Sequence, residues 1–312
     1  MRFGVHLPLA DLGGGIPDGA GLRDYTRVAV DLGFDMVSAN DHLLWRRPWL
    51  DGLTALAGVV GETRGASLAT SVALPTVRHP VVLAKALASL AVVTDGPVVA
   101  GLGPGSSAAD HAAVGVPFEE RWARFDESLR LVRALVRGER APEGRYYPVG
   151  DLELAPLPAE PPQVWSGSWG SDARLRRLAE VADGWLASGY NTTPDRFVEA
   201  RRRLDDHLAD VGRNPAHFPD LIATMWLYVD DRPEPTRRIL EEVLGPILGR
   251  DPAELHRQLP VGSPEHCIAL LDAYAQIGAQ RILLWPVDDP TGQLERFVQE
   301  VLPHVGASSP GQ

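Results

Sequence analysis

Asp41 and His42 stand side by side at the end of a short apolar run, Phe34 to Ala39, with Asn40 before them and Trp45 and Trp49 close behind. An imidazole changes charge near neutral pH, so it can take or return a proton, and a neighbouring carboxylate can orient it or hold a ligand. The same pair also suits a plainer role, with Asp41 capping the next helix and His42 packing. Two other stretches have the composition of anion cradles. They are Gly101-Leu102-Gly103-Pro104-Gly105-Ser106-Ser107 and Gly167-Ser168-Trp169-Gly170-Ser171. Small residues let backbone N–H groups approach a phosphate, and a helix start just beyond adds a favourable partial charge. Neither matches a strict dinucleotide or Walker pattern, and each alone reads as a tight turn with a Ser cap. Together, on neighbouring loops, they favour a phosphorylated ligand. Trp45, Trp49, Trp165, Trp169 and Trp285 all fall near strand ends and suit a flat ligand, with Trp45, Trp49 and Trp285 as candidate substrate contacts.

Other chemistries find little support. The nine histidines are scattered, with no His-x-His or His-Glu-x-x-His pair, so no metal site is expected. No G-x-S-x-G elbow occurs, which argues against a serine hydrolase. A net charge of -11 argues against nucleic acid and anionic membranes as partners and leaves a small molecule. The single cysteine, Cys267, precludes an internal disulfide and suits a reducing compartment. The start, MRFGVHLPLA, lacks a secretory pattern, and the apolar run Val81 to Val93 is interrupted by Lys85 and too short to span a bilayer. A cytoplasmic enzyme is expected.

The elements that must position these residues follow one pattern. Short apolar runs at 2–7, 35–39, 67–74, 98–102, 163–166, 184–187, 221–229 and 281–285 read as strands, each followed by helical periodicity. The clearest helix is expected over 118–136, where Phe118, Trp122, Phe125, Leu129, Val132 and Val136 step by four and three. A Pro-rich connection over 138–162 reads as an insertion, with a hairpin expected around Tyr146-Tyr147 and Leu152-Leu154. An extra helical region is expected over 233–262. Eight strand–helix units predict an α/β fold, a single (β/α)8 TIM-barrel domain over 1–312 with insertions. Catalytic side chains of such barrels collect at the carboxyl ends of the strands, where the stretches above lie.

With these motifs in order, the chain resembles the bacterial luciferase-like flavin and deazaflavin oxidoreductases, most closely the branch using coenzyme F420. The matching text is Ser38-Ala39-Asn40-Asp41-His42, Thr70-Ser71-Val72 with Pro75-Thr76, Gly101 to Gly105, Gly115-Val116-Pro117-Phe118-Glu119-Glu120-Arg121, and Ala182-Asp183-Gly184-Trp185. The resemblance implies that Asp41 and His42 lie against the cofactor ring, with His42 handling the proton and Asp41 fixing His42 or the ring. It implies a non-prolyl cis peptide at Ser71-Val72 behind the ring, and cofactor-tail contacts from Gly103, Pro104, Gly105 and Ser106 and from Gly167, Ser168, Trp169, Gly170 and Ser171. It places Trp45 beside the substrate, and implies a possible homodimer. Where some relatives carry a carboxylate or Trp, this chain has Ser106 or Ser107, so proton transfer rests on His42 and sugar-phosphate oxidation is not implied. The expected reaction is hydride transfer between coenzyme F420 and a small organic substrate. The alternatives are an FMN-dependent monooxygenase using O2 and a flavin-binding paralogue without turnover.

Overall fold

The computed structural model describes residues 1–306; the last six positions of the single-domain reading lie outside the described residues. β1 (Arg2–His6) is followed by α1 (Gly19–Asp31), β2 (Met36–Ala39) by α2 (Gly52–Val59), and β3 (Ser67–Ala73) by α3 (Pro80–Val93). β4 (Val98–Leu102) leads to a short α4 (Ala108–Ala113) and the long α5 (Arg121–Val136). β5 (Gln163–Gly167) is followed by α6 (Asp172–Val181), and β6 (Gly184–Ser188) by α7 (Pro194–Asp210). After β7 (Asp220–Val229) come α8 (Pro233–Arg238), α9 (Gly245–Leu248) and α10 (Pro252–Gln258). β8 (Val261–Gly262), α11 (Pro264–Gln276), β9 (Arg281–Pro286) and α12 (Pro290–Arg296) complete the order. Successive strands pair in parallel, β9 joins both β1 and β7, and β6 joins β7, so β1 to β7 and β9 close a ring of eight. The two-residue β8 lies outside that ring on the end of β7.

Parallel strands covered on both faces read as continuous apolar runs, and the strands here are buried almost throughout. Met36, Ala69, Val99, Trp165, Leu186, Leu221, Ala223 and Leu283 form one buried cluster drawn from seven different strands. Only the inside of the ring can collect such a set. The eighth strand contributes Gly4, where a Cβ would come within 2.6 Å of the Leu283 side chain and 2.7 Å of the Met36 carbonyl. Helix starts are set by local side chains. Asp18, Asp51, Ser107, Thr193 and Ser263 each accept a backbone N–H from the first turn of α1, α2, α4, α7 and α11.

Several expectations need correction. No hairpin forms around Tyr146-Tyr147 and Leu152-Leu154. The buried Glu127 carboxylate takes the N–H groups of Arg145, Tyr146 and Tyr147 at 2.6–2.9 Å, which removes them from any ladder. The helix expected from Phe118 begins as a 3-10 turn over Phe118–Glu120, and α5 starts at Arg121. The region 233–262 is helical but broken, with a π turn over Ile239–Leu244 and a left-handed Gly249. No helix among the described residues is long and apolar enough to cross a membrane.

Candidate active site

A cavity of about 590 Å³ opens at the carboxyl ends of the strands, within the size range of sites for small ligands and cofactors. It collects Asn40, Asp41 and His42 after β2, Ser71 and Val72 on β3, Gly103, Pro104, Gly105 and Ser106 after β4, and Gly167, Ser168, Trp169 and Ser171 after β5. Gly170 sits within that last loop with φ +89°, in the left-handed region. The peptide between Ser71 and Val72 is cis, and β3 shifts register there against β4.

Asp41 and His42 are adjacent in sequence but serve different partners. Asp41 is 6% exposed and receives two hydrogen bonds from Arg78, at 2.7 and 2.8 Å, in a planar fork. Arg78 also bonds Asp51, the cap of α2. These carboxylates hold the guanidinium's pKa above its usual range, although partial burial opposes them. The implied role of Asp41 in fixing His42 is therefore corrected: its carboxylate is turned to Arg78. His42 instead places Nδ1 3.1 Å from Oδ2 of Asp110, which is fully buried. The other oxygen of Asp110 accepts the Leu44 N–H at 2.8 Å, so one carboxylate fixes both the ring and the turn that carries it. A carboxylate oxygen accepts, so Nδ1 donates and Nε2 is the ring atom left for a ligand.

The three tryptophans expected to touch substrate lie elsewhere. Trp45 stacks over His42 at 6.0 Å and Trp49 meets its edge at 4.9 Å, so both back the imidazole and neither lines the cavity. Trp285 is 1% exposed, pressed against Trp226 at 4.1 Å, and walls a separate cavity of about 390 Å³ beside β1. A strand-end position does not tell which way a side chain turns.

The loops after β4 and β5 present backbone. A Cβ on Gly103 would come within 2.6 Å of Val72, and one on Gly105 within 2.9 Å of the buried His111 ring. Among the described residues the N–H groups of Gly105 and Ser106 meet no protein acceptor. Ser171 occupies the cap of α6 without using its side chain to cap, which leaves the hydroxyl and the N–H groups of Asp172 and Ala173 to a ligand. Asn40 Oδ1 is buried with no hydrogen-bond donor, an acceptor that a ligand can satisfy. Two cations stand on the rim: Arg121 lies over Phe118 at 3.9 Å, and Arg174 lies over Trp122 at 4.2 Å and pairs with Asp126.

Asn40 and Arg121 entered the sequence reading only as members of longer motifs, and Asp110, Arg78 and Arg174 were not named in it. Only Asp110 carries a signal, since Ser107-x-x-Asp110 has the spacing of a helix start. Among the described residues no cluster of His, Cys, Asp and Glu could hold a metal ion.

A model of the luciferase-like monooxygenase family matches residues 1–249. An F420-dependent glucose-6-phosphate dehydrogenase of Beutenbergia cavernae is 30% identical, over 92% of this chain and 93% of that one. An F420-dependent hydroxymycolic acid dehydrogenase of Mycobacterium tuberculosis is 27% identical, over 90% and 83%. The solved structure of an F420-dependent secondary alcohol dehydrogenase, in complex with an F420-acetone adduct, superimposes with a TM-score of 0.84 at 15% identity, covering 97% of this chain and 98% of that one.

Proposed function

The chain belongs to the luciferase-like monooxygenase family, and from that premise we propose that it is an oxidoreductase using coenzyme F420. It moves hydride between the cofactor and the carbinol or carbonyl carbon of a small organic substrate. The residues present fit such a cofactor: backbone donors and glycines where a phosphate-bearing tail needs close approach, and an unsatisfied buried acceptor at Asn40. Gly103 to Ser106 and Ser168 to Ser171 would hold the tail, and Ser71 and Val72 would support the ring. When bound, the cofactor supplies the carbon that accepts or gives hydride.

The observation that carries the reading is the clamp on His42. Asp110 keeps Nδ1 as a donor, so Nε2 takes the hydroxyl proton of an alcohol during oxidation or returns it during reduction. Asp41, locked by Arg78, forms a fixed wall beside the imidazole. Holding ring and substrate in one cavity supplies the proximity that a bimolecular transfer in water lacks.

The test is a titration of the purified protein with coenzyme F420 and, separately, with FMN, followed by absorbance and fluorescence. Saturable F420 binding in the low micromolar range is expected. Tight FMN binding with no F420 binding would refute the assignment and favour a monooxygenase.

A further inference from the structure

Beneath the cavity lies a buried histidine that the proposed reaction does not use. His6 ends β1, is 1% exposed, and stacks on Trp285 with ring centroids 4.6 Å apart. Its Nε2 lies 3.1 Å from the Thr224 backbone nitrogen, and its Nδ1 lies 3.5 Å from the Ser71 hydroxyl oxygen. Both partners stand where their strands break register, β3 between Ser71 and Ala73 and β7 between Ile222 and Met225. Both also line the cavity. One imidazole thus ties together, from below, the two irregularities that shape the cavity floor.

Counting protons gives this arrangement a direction. Full burial pushes the His6 imidazole down to about 3, so the ring is neutral and carries one N–H. A backbone N–H can only donate, so Nε2, facing Thr224, holds the lone pair. The single ring proton is then on Nδ1 and faces Ser71. A serine oxygen that accepts this proton still has its own to place. Among the described residues Ser71 Oγ has no protein partner besides His6, and the cavity is the direction left open.

Resting on the cofactor reading above, we propose that His6 is a positioning residue that fixes the Ser71 hydroxyl as a hydrogen-bond donor to an oxygen or nitrogen acceptor of the bound ring. With the opposite tautomer that polarity would not be set. His6 acts through Ser71 alone, and Thr224 supplies the constraint that chooses the tautomer.

Two measurements test this. In nitrogen-15 NMR of the whole protein at pH 7, His6 should appear as the neutral Nδ1–H form. An Nε2–H form would overturn the proposal. Fluorescence titrations with coenzyme F420, and in parallel with FMN, then compare wild type with Ser71→Ala, His6→Gln, His6→Phe and the double variant His6→Phe/Ser71→Ala. Glutamine can offer its carbonyl to Thr224 and its amide N–H to Ser71, so His6→Gln should keep Kd within about threefold. Ser71→Ala and His6→Phe should each raise Kd about tenfold, the loss of one buried hydrogen bond, and the double variant should be no worse than either. Unchanged binding in Ser71→Ala, or losses that add in the double variant, would overturn it. Wild type binding neither cofactor would sink the functional reading instead, and the tautomer would still decide whether His6 sets Ser71.

Discussion

On the β2 side of the cavity the carboxylates are occupied by fixed partners: Asp41 by the Arg78 fork, and Asp110 by the His42 ring and the Leu44 N–H. On the β5 side, the loop Gly167–Ser171 is held by backbone pairing, by the Gly170 N–H to Ser168 Oγ at 3.2 Å and by the Trp185 indole N–H to the Ser168 carbonyl at 3.0 Å, while Trp169 stands 70% exposed. The first region places one ring nitrogen in a defined direction, which is what a proton-transfer step needs. The second offers N–H groups and little side-chain chemistry, which is what a phosphate-bearing tail needs. The difference assigns chemistry to one wall and affinity to the other.

The sharpest way to break this division is His42→Ala. If the β2 wall is catalytic, turnover with saturating cofactor should fall by about 10²–10⁴-fold, the usual worth of a positioned acid–base group. The Kd for coenzyme F420 should move by less than about threefold, because the cradles on β4 and β5 are untouched. Steady-state kinetics beside a binding titration reads both. Loss of binding as large as the loss of turnover would make the β2 wall a binding surface and erase the contrast.

Gly105→Ala probes the cradle after β4 with a smaller effect. Gly105 has φ +76°, and its added Cβ would meet the fully buried His111 ring at 2.9 Å, so neither the backbone nor the neighbour can yield freely. A left-handed conformation costs a non-glycine residue roughly 1–2 kcal/mol. Cofactor affinity should fall about tenfold as the loop shifts, with turnover at saturation nearly unchanged. A large drop in saturated turnover would show that this loop shapes the reacting centre as well as the tail.

The division was partly legible in the sequence. Buried parallel strands announce themselves as short apolar runs closed by Gly or Pro, and small-residue loops announce backbone approach, so the barrel and its loops could be placed. Side-chain pairing could not. Arg78 reaches Asp41 across 37 positions and Asp110 reaches His42 across 68, and no periodicity links residues that far apart. Local patterns also misled where a distant side chain intervened. The alternation over 146–154 looks like a hairpin until Glu127 takes its N–H groups. Trp285 lies near the end of β9, where active-site residues also lie, yet it turns into the stack between His6 and Trp226.

Trp169→Ala should have the smallest effect and tests the division most closely. An indole on a residue that is 70% exposed must be ordered before it can stack on a ligand. Ordering a free side chain costs about 0.5–1.5 kcal/mol, similar to the 0.5–1.5 kcal/mol that an aromatic contact returns. The two nearly cancel, so the Kd for coenzyme F420 should change by less than about threefold in a fluorescence titration. A tenfold loss would mean the indole is held in place once the ligand arrives. The β5 side would then act through a side chain as the β2 side does, and the contrast between a catalytic wall and a backbone cradle would have to be redrawn around Trp169.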